Sequence, residues 1–109
     1  MKRRYRLRRT ADYQAVRAER RGAGDPLLRV QVRPRSDGSP RVGMAVSRRL
    51  GGAVTRNLLR RRLRAAARAR ISALRPFDVV IIPSPAAARA PYAELAVALD
   101  RVLARAGAL

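Results

Sequence analysis

Residues 77–83 read FDVVIIP, a run of strand length whose centre, Val79 to Ile82, is entirely β-branched. Such a run has no polar face to turn towards water, so it predicts a central strand covered on both sides. A sheet with helices packed against it is the fold this requires. At 109 residues the chain has room for one such core, so a single domain spanning 1–109 is expected.

The remaining elements follow from periodicity and turn chemistry. TADYQAVRAERR, from Thr10, predicts a short helix with Thr10 as N-cap, Tyr13 and Val16 on one face, and an end near Glu19 or Arg20. GAGDP (22–26) has the glycine and proline content of a turn. In LLRVQV, Leu28, Val30 and Val32 alternate with Arg29, Gln31 and Arg33, the period of a half-buried strand. Asp37-Gly38 suggests an antiparallel hairpin into RVGMAVS. That second strand would place Val42, Met44 and Val46 on one face, with Gly43, Ala45 and Ser47 on the other. The small face admits close approach to its backbone, by a ligand or by a packed helix. SPAAARA (84–90) reads as a loop. Pro91 then opens a last helix with Tyr92, Leu95, Ala96, Leu99, Val102 and Leu103 on one face and Gly107 near its end.

Between Gly51-Gly52 and the central strand lies AVTRNLLRRRLRAAARAR (53–70), with seven arginines and no acidic residue. On a helical wheel Leu58, Leu59, Leu63 and Ala66 share one arc, and Arg56, Asn57, Arg60, Arg61, Arg64 and Arg68 the other. Arg62 and Arg70 fall at the apolar edge, where their stems can snorkel. Arginines four apart destabilise an isolated helix by about 0.2–0.5 kcal/mol per pair. A face built for solubility alone would interleave glutamate, so this one is expected to meet phosphate.

Composition points the same way. Against 26 Lys and Arg stand 7 Asp and Glu, a formal net charge of +19, and all but Lys2 of the basic residues are arginine. With 48% hydrophobic residues the chain can still fold, so it is a compact polycation suited to a polyanion. The basic start MKRRYRLRRT is followed by no apolar segment, no stretch is long enough to span a membrane, and a cytoplasmic location is expected. Catalytic groups are scarce. There is no His and no Cys, and Asp12, Glu19, Asp25, Asp37, Asp78, Glu94 and Asp100 are scattered rather than paired for metal. Asp78 is expected to cap a strand, and Glu94 to sit in the first turn of the last helix. Gly51-Gly52 is a turn, not a phosphate-cradling loop. No catalytic residue and no metal ligand is assigned.

RLRRTADYQAV, RVGMAVSRRLGGAVTRNLLRRRLR, FDVVIIP and YAELAVALDRVLARAG, in that order, resemble the protein subunits of bacterial ribonuclease P over almost the whole chain. The most specific element is the Arg56-Asn57 pair followed by Arg60, Arg61 and Arg64; SRRLGGAV before it matches as well. The resemblance implies an α/β (α+β) two-layer sandwich, a small mixed sheet flanked by helices, ribosomal-protein-S5-domain-2-like. Its order would be α-β-β(-β)-α-β-α, with a left-handed β-α-β crossover through the arginine helix, against the usual hand. It further implies an endoribonuclease that removes the 5′ leader of precursor tRNA, with catalysis by an RNA subunit and Mg²⁺ bound mainly by that RNA.

On the same resemblance, Arg56, Asn57, Arg60, Arg61 and Arg64, with Arg68 one turn on, would contact the RNA subunit. Tyr13, Arg17, Gln31, Gly43, Ala45, Ser47, Arg48 and Arg49 would meet precursor tRNA. Arg17 and Gln31 stand where aromatics are common, so leader binding is expected to rest on charge more than on stacking. Tyr13 either stacks on an unpaired base or joins helix to sheet; both readings stay open. Two rivals remain: a non-catalytic RNA-binding protein of ribosomal type, and a DNA-binding domain, which Asn57 as the lone base-reading amide disfavours.

Overall fold

The computed structural model describes residues 1–109. Its elements are α1 (Thr10–Glu19), β1 (Gly22–Gly24), β2 (Leu28–Pro34), β3 (Arg41–Met44), α2 (Ala53–Arg70), β4 (Phe77–Pro83) and α3 (Tyr92–Arg105). Short 3-10 turns lie at Arg3–Tyr5, Arg48–Leu50, Ile71–Ala73 and Pro85–Arg89. The sheet order is β1-β2-β4-β3, with β3 parallel to β4 and the other pairs antiparallel. This is the α+β architecture with a small mixed sheet that the resemblance implies, and α2 makes the crossover between the parallel strands.

β4 lies between β2 and β3 and is buried almost throughout. Val79 and Ile81 join the main core with Leu28, Val30, Val32 and Val42 of the sheet, Leu59 and Leu63 of α2, and Leu95, Leu99 and Val102 of α3. Fully burying each of these leucines is worth about 1.5–3 kcal/mol. Val80 faces the opposite way, into a smaller cluster with Val16 of α1 and Leu7. The α1 face therefore has little apolar packing, and polar side chains of β2 remain within reach of solvent.

Several local expectations change. The hairpin at Asp37-Gly38 does not form, because β4 inserts between β2 and β3. A strand apolar on both faces takes the central position, where both edges are paired. Arg35 N–H donates to the Pro76 carbonyl (2.8 Å), holding the link against β4, and Asp37 pairs with Arg35 (2.6 Å). The tight hairpin is instead β1–β2: Gly22–Gly24 is a strand, and Asp25 Oδ1 accepts from Leu27 N–H (2.9 Å) and Leu28 N–H (3.0 Å). Thr10 is the first helical residue and gives α1 no side-chain cap. RVGMAVS is strand only to Met44. Leu58 is 42% exposed; the buried face of α2 is Leu59, Leu63, Ala66 and Ala67. Tyr92 is likewise exposed, while Glu94 sits in the first turn of α3 as expected. Arg62 and Arg70 do reach from the apolar edge: Arg62 donates to the Ala90 carbonyl (3.2 Å), and Arg70 pairs with Asp100.

Asp78 is not a strand cap. It is the one buried charged residue, and its two oxygens accept from Arg41 Nε and Nη2, each at 2.8 Å. Hydrogen bonding to Asp78 raises Arg41 above the usual arginine value, and the same guanidinium reaches Asp12 of α1 (3.4 Å). Removing one partner of such a pair leaves a buried charge uncompensated. Asp78→Asn is expected to lower unfolding free energy by about 3 kcal/mol in chemical denaturation. The exposed partner substitution Asp37→Asn should cost less than about 1 kcal/mol. Equal destabilisation by the two would show that burial at Asp78 carries no weight.

Candidate nucleic-acid interface

The register places Gln31 and Gly43, two of the residues expected to meet precursor tRNA, on one sheet face. Gly22, Gln31, Val80 and Gly43 are partners across all four strands. The next row holds Gly24, Arg29 and Ile82; the row on the other side holds Arg33, Asp78 and Arg41. α1 lies over this face with Val16 against Val80, Asp12 towards Arg41 and Glu19 near Arg33 (4.0 Å). Arg17, one helical turn on from Tyr13, stands beside Gln31 and Arg29.

Tyr13 joins helix to sheet, one of the two roles left open for it. Its ring packs against the Leu7, Val16 and Val80 cluster, and its hydroxyl donates to the Leu7 carbonyl (3.2 Å). The ring also lies directly over Gly43, where a Cβ would collide with the tyrosine. Gly43 is thus buried beneath Tyr13, and the close approach its missing side chain permits is made by α1. Ala45 is the exposed small residue of that strand's continuation.

Hollows open at the two ends of α1. At one end, Arg17 and Gln31 meet Arg20, Arg21 and Arg29 around about 560 Å³, with no acidic residue in the lining. Arg21 also sits over the Phe77 ring, 5.2 Å from its centroid. At the other end, Tyr13 and Gly43 meet Arg6, Arg8, Met1, Arg60 and Arg64 around about 220 Å³. Arg60 and Arg64, assigned from sequence to a different contact, share this hollow with Tyr13. A third recess of about 380 Å³ continues along α2 past Met1, Arg61, Arg64, Ala65 and Arg68. Arg6 and Arg8 were not singled out from sequence; the signal was there in MKRRYRLRRT. Leu7 N–H donates to the Val42 carbonyl (2.9 Å), which fixes this segment along β3.

Electrostatics follow from who pairs with whom. Six of the seven acidic residues sit within 4.0 Å of an arginine: Arg33, Arg35, Arg41, Arg70 or Arg101. The other twenty arginines have no carboxylate partner. Desolvation, then Arg6, Arg68 and Arg64, hold the Met1 amine below its ordinary value. α2 begins with no side-chain cap and no acid in its first turn, so its free N–H groups add to the positive field. Ser47, Arg48 and Arg49 are exposed just before it, with Ser47 Oγ accepting from Arg49 N–H (3.2 Å). Arg60 donates to Asn57 Oδ1 (3.2 Å), while Arg56 is half-buried with its Nε unpaired. No group of acidic side chains is placed to hold a metal ion. No helix is long and apolar enough to cross a membrane.

A small α+β protein with an arginine surface running from a helix flank to a sheet face is a class built for polyanions. Residues 1–107 match the family model described as Ribonuclease P, and the chain belongs to that family. The ribonuclease P protein component of Acidothermus cellulolyticus is 43% identical over 94% of this chain and 88% of its own length. That of Roseiflexus castenholzii is 41% identical over 98% and 89%. Among solved structures, a mutant RNase P protein of Staphylococcus aureus superposes with a TM-score of 0.89 at 25% identity, covering 97% of this chain and 91% of that one. The RNase P protein of Thermotoga maritima gives 0.83 at 27% identity, covering 92% and 96%. As a ribonuclease P protein component, the chain is a subunit of a tRNA-processing ribonuclease.

Twenty arginines without carboxylate partners repel one another in the folded chain, and an anion bound only by that state stabilises it. Sulfate is expected to raise the melting temperature beyond what chloride does at equal ionic strength. Equal effects of the two salts would reduce the phenomenon to screening.

Proposed function

We propose that this subunit docks α2 on the catalytic RNA of ribonuclease P and holds the 5′ leader of precursor tRNA along the flank of α1, in the cytoplasm. The observation that carries the reading is the shared hollow in which Arg60 and Arg64 of α2 meet Tyr13 of α1. It makes one basic path out of the docking helix and the leader groove. Ser47, Arg48 and Arg49 extend the path at the start of α2, and Arg17, Gln31, Arg20 and Arg29 extend it at the far end of α1. Because Arg17 and Gln31 line that end, the leader is gripped there by phosphate charge and an amide rather than by stacked rings.

The chemistry belongs to the RNA. Six of this chain's seven acidic side chains are engaged by arginines, so its residues do not fit a Mg²⁺ site, and the ion is held by the RNA partner. The protein contributes positive charge, which offsets repulsion between two RNAs and positions the leader. That help should shrink as Mg²⁺ or monovalent salt rises. Cleavage of precursor tRNA by protein alone, RNA alone and both, across a Mg²⁺ series, is the decisive measurement. The expected result is no cleavage by protein alone and a protein-dependent gain confined to low Mg²⁺. RNA-free cleavage by nuclease-treated protein would overturn the assignment of chemistry. No gain at any Mg²⁺ concentration would favour an RNA-binding protein of ribosomal type.

Arg60→Ala with Arg64→Ala should weaken binding to the RNA subunit and flatten log affinity against log salt by roughly 0.7–0.9 for each phosphate no longer neutralised. The fold should survive, since neither side chain belongs to the buried Leu59 and Leu63 face. Weaker binding with an unchanged slope would assign these arginines a structural role.

A further inference from the structure

α2 has three faces, not two. Leu59, Leu63, Ala66 and Ala67 form the buried one. At 3.6 residues per turn, Arg60, Arg64, Asn57, Arg68 and Arg61 sweep out a second arc of about 100°. On the third side, about 135° round from the core, Val54, Leu58, Ala65 and Ala69 fall within about 60° of one another. All four are exposed, Val54 at 84% and Leu58 at 42%. Scattered surface hydrophobes need no account, but these two lie one turn apart on one side of the most cationic element. Valine gains nothing from burial there, and it is a weaker helix former than alanine. Packing within the chain therefore gives no reason for Val54 and accounts for only part of Leu58.

We propose that Val54 and Leu58, continued by the low ridge of Ala65 and Ala69, form a contact strip that seats exposed base and ribose faces of the RNA subunit, beside the phosphates held by Arg61, Arg64 and Arg68. The inference rests on the docking role of α2 given above and adds an apolar component to it. Charge selects the occupant. The helix carries no carboxylate, Arg61 borders the strip, and Arg48 and Arg49 stand just before Val54. A second copy of this chain would bring +19 against +19. RNA offers both things the face asks for, anionic oxygens on one side and flat, weakly hydrated rings on the other. The alanines permit close approach of a flat surface, and a strip that excludes water does not exchange counterions. The two parts of the interface should therefore respond differently to salt.

The test compares wild type, Val54→Gln with Leu58→Gln, and Arg60→Ala with Arg64→Ala, binding ribonuclease P RNA across a potassium chloride series. Melting temperature and sedimentation of each protein are measured alongside. Glutamine is a good helix former, so the fold should hold; Val54→Ala with Leu58→Ala serves if it does not. The glutamine pair is expected to lose about tenfold in affinity at every salt concentration, with an unaltered salt slope, melting temperature and monomeric state. The arginine variant should show the flatter slope. Wild-type binding matched by the glutamine pair overturns the strip and leaves the docking role standing. A changed slope in the glutamine pair, or a wild-type dimer that the pair dissolves, also overturns it. Failure of wild type to bind the RNA overturns both.

Discussion

Asp78 is the one charged residue this fold buries, and the placement of three elements depends on its ion pair with Arg41. Asp78 is the second residue of β4, Arg41 opens β3, and their register pairing brings the guanidinium onto both carboxylate oxygens. The same guanidinium reaches Asp12, so the parallel strand pair and α1 share one electrostatic joint. A one-residue slip of β4 would carry Asp78 to the face now held by Val79 and Ile81, into an apolar core without a partner. The pair thus specifies register, and register sets which side chains stand beside α1.

Charge in this chain is divided by task. Carboxylates are few, and they are used for joints: Asp25 closes the β1–β2 turn and pairs with Arg101 (3.1 Å), Asp100 ties α3 to Arg70, and Asp78 ties the sheet. Hydrogen bonding to Asp100 raises Arg70 above the ordinary arginine value, as Asp78 does for Arg41. The surplus arginines have no carboxylate in the chain to neutralise them. A folded protein with such a surface is suited to an anionic partner. Membership in the ribonuclease P family supplies the class of assembly in which that partner is found.

The candidate site was legible in parts. The arginine arc of α2 could be read from spacing because helical geometry fixes which residues share a face. Tyr13, Arg17, Gln31 and Gly43 came from resemblance; the register puts Gln31 and Gly43 on a common sheet face, and α1 lays Tyr13 over Gly43 and brings Arg17 beside Gln31. Arg6, Arg8, Arg20, Arg21 and Arg29 were passed over, because only the packing of α1 and the β1–β2 hairpin gathers them into hollows. Leu58 was assigned to the core from its neighbours on the wheel, yet Leu59 and Leu63 fill that face and leave Leu58 in solvent. A wheel shows which residues share a side. Whether a side is buried depends on what packs against it.

Local chemistry by itself determined the existence and type of the long elements: the alternation of β2, the unbroken apolar run of β4, the amphipathic α2 and α3. Each is a one-dimensional pattern imposed by backbone period, so it survives in the sequence. The exchange of strand partners was decided only in three dimensions. Asp37-Gly38 carries a good hairpin signal, but pairing β2 with β3 would have left β4 one edge unpaired and a face open to water. Placing β4 between them satisfies its backbone on both sides and buries both its faces. That gain is non-local, summed over two strand pairings and two layers of packing, and no window of the sequence contains it.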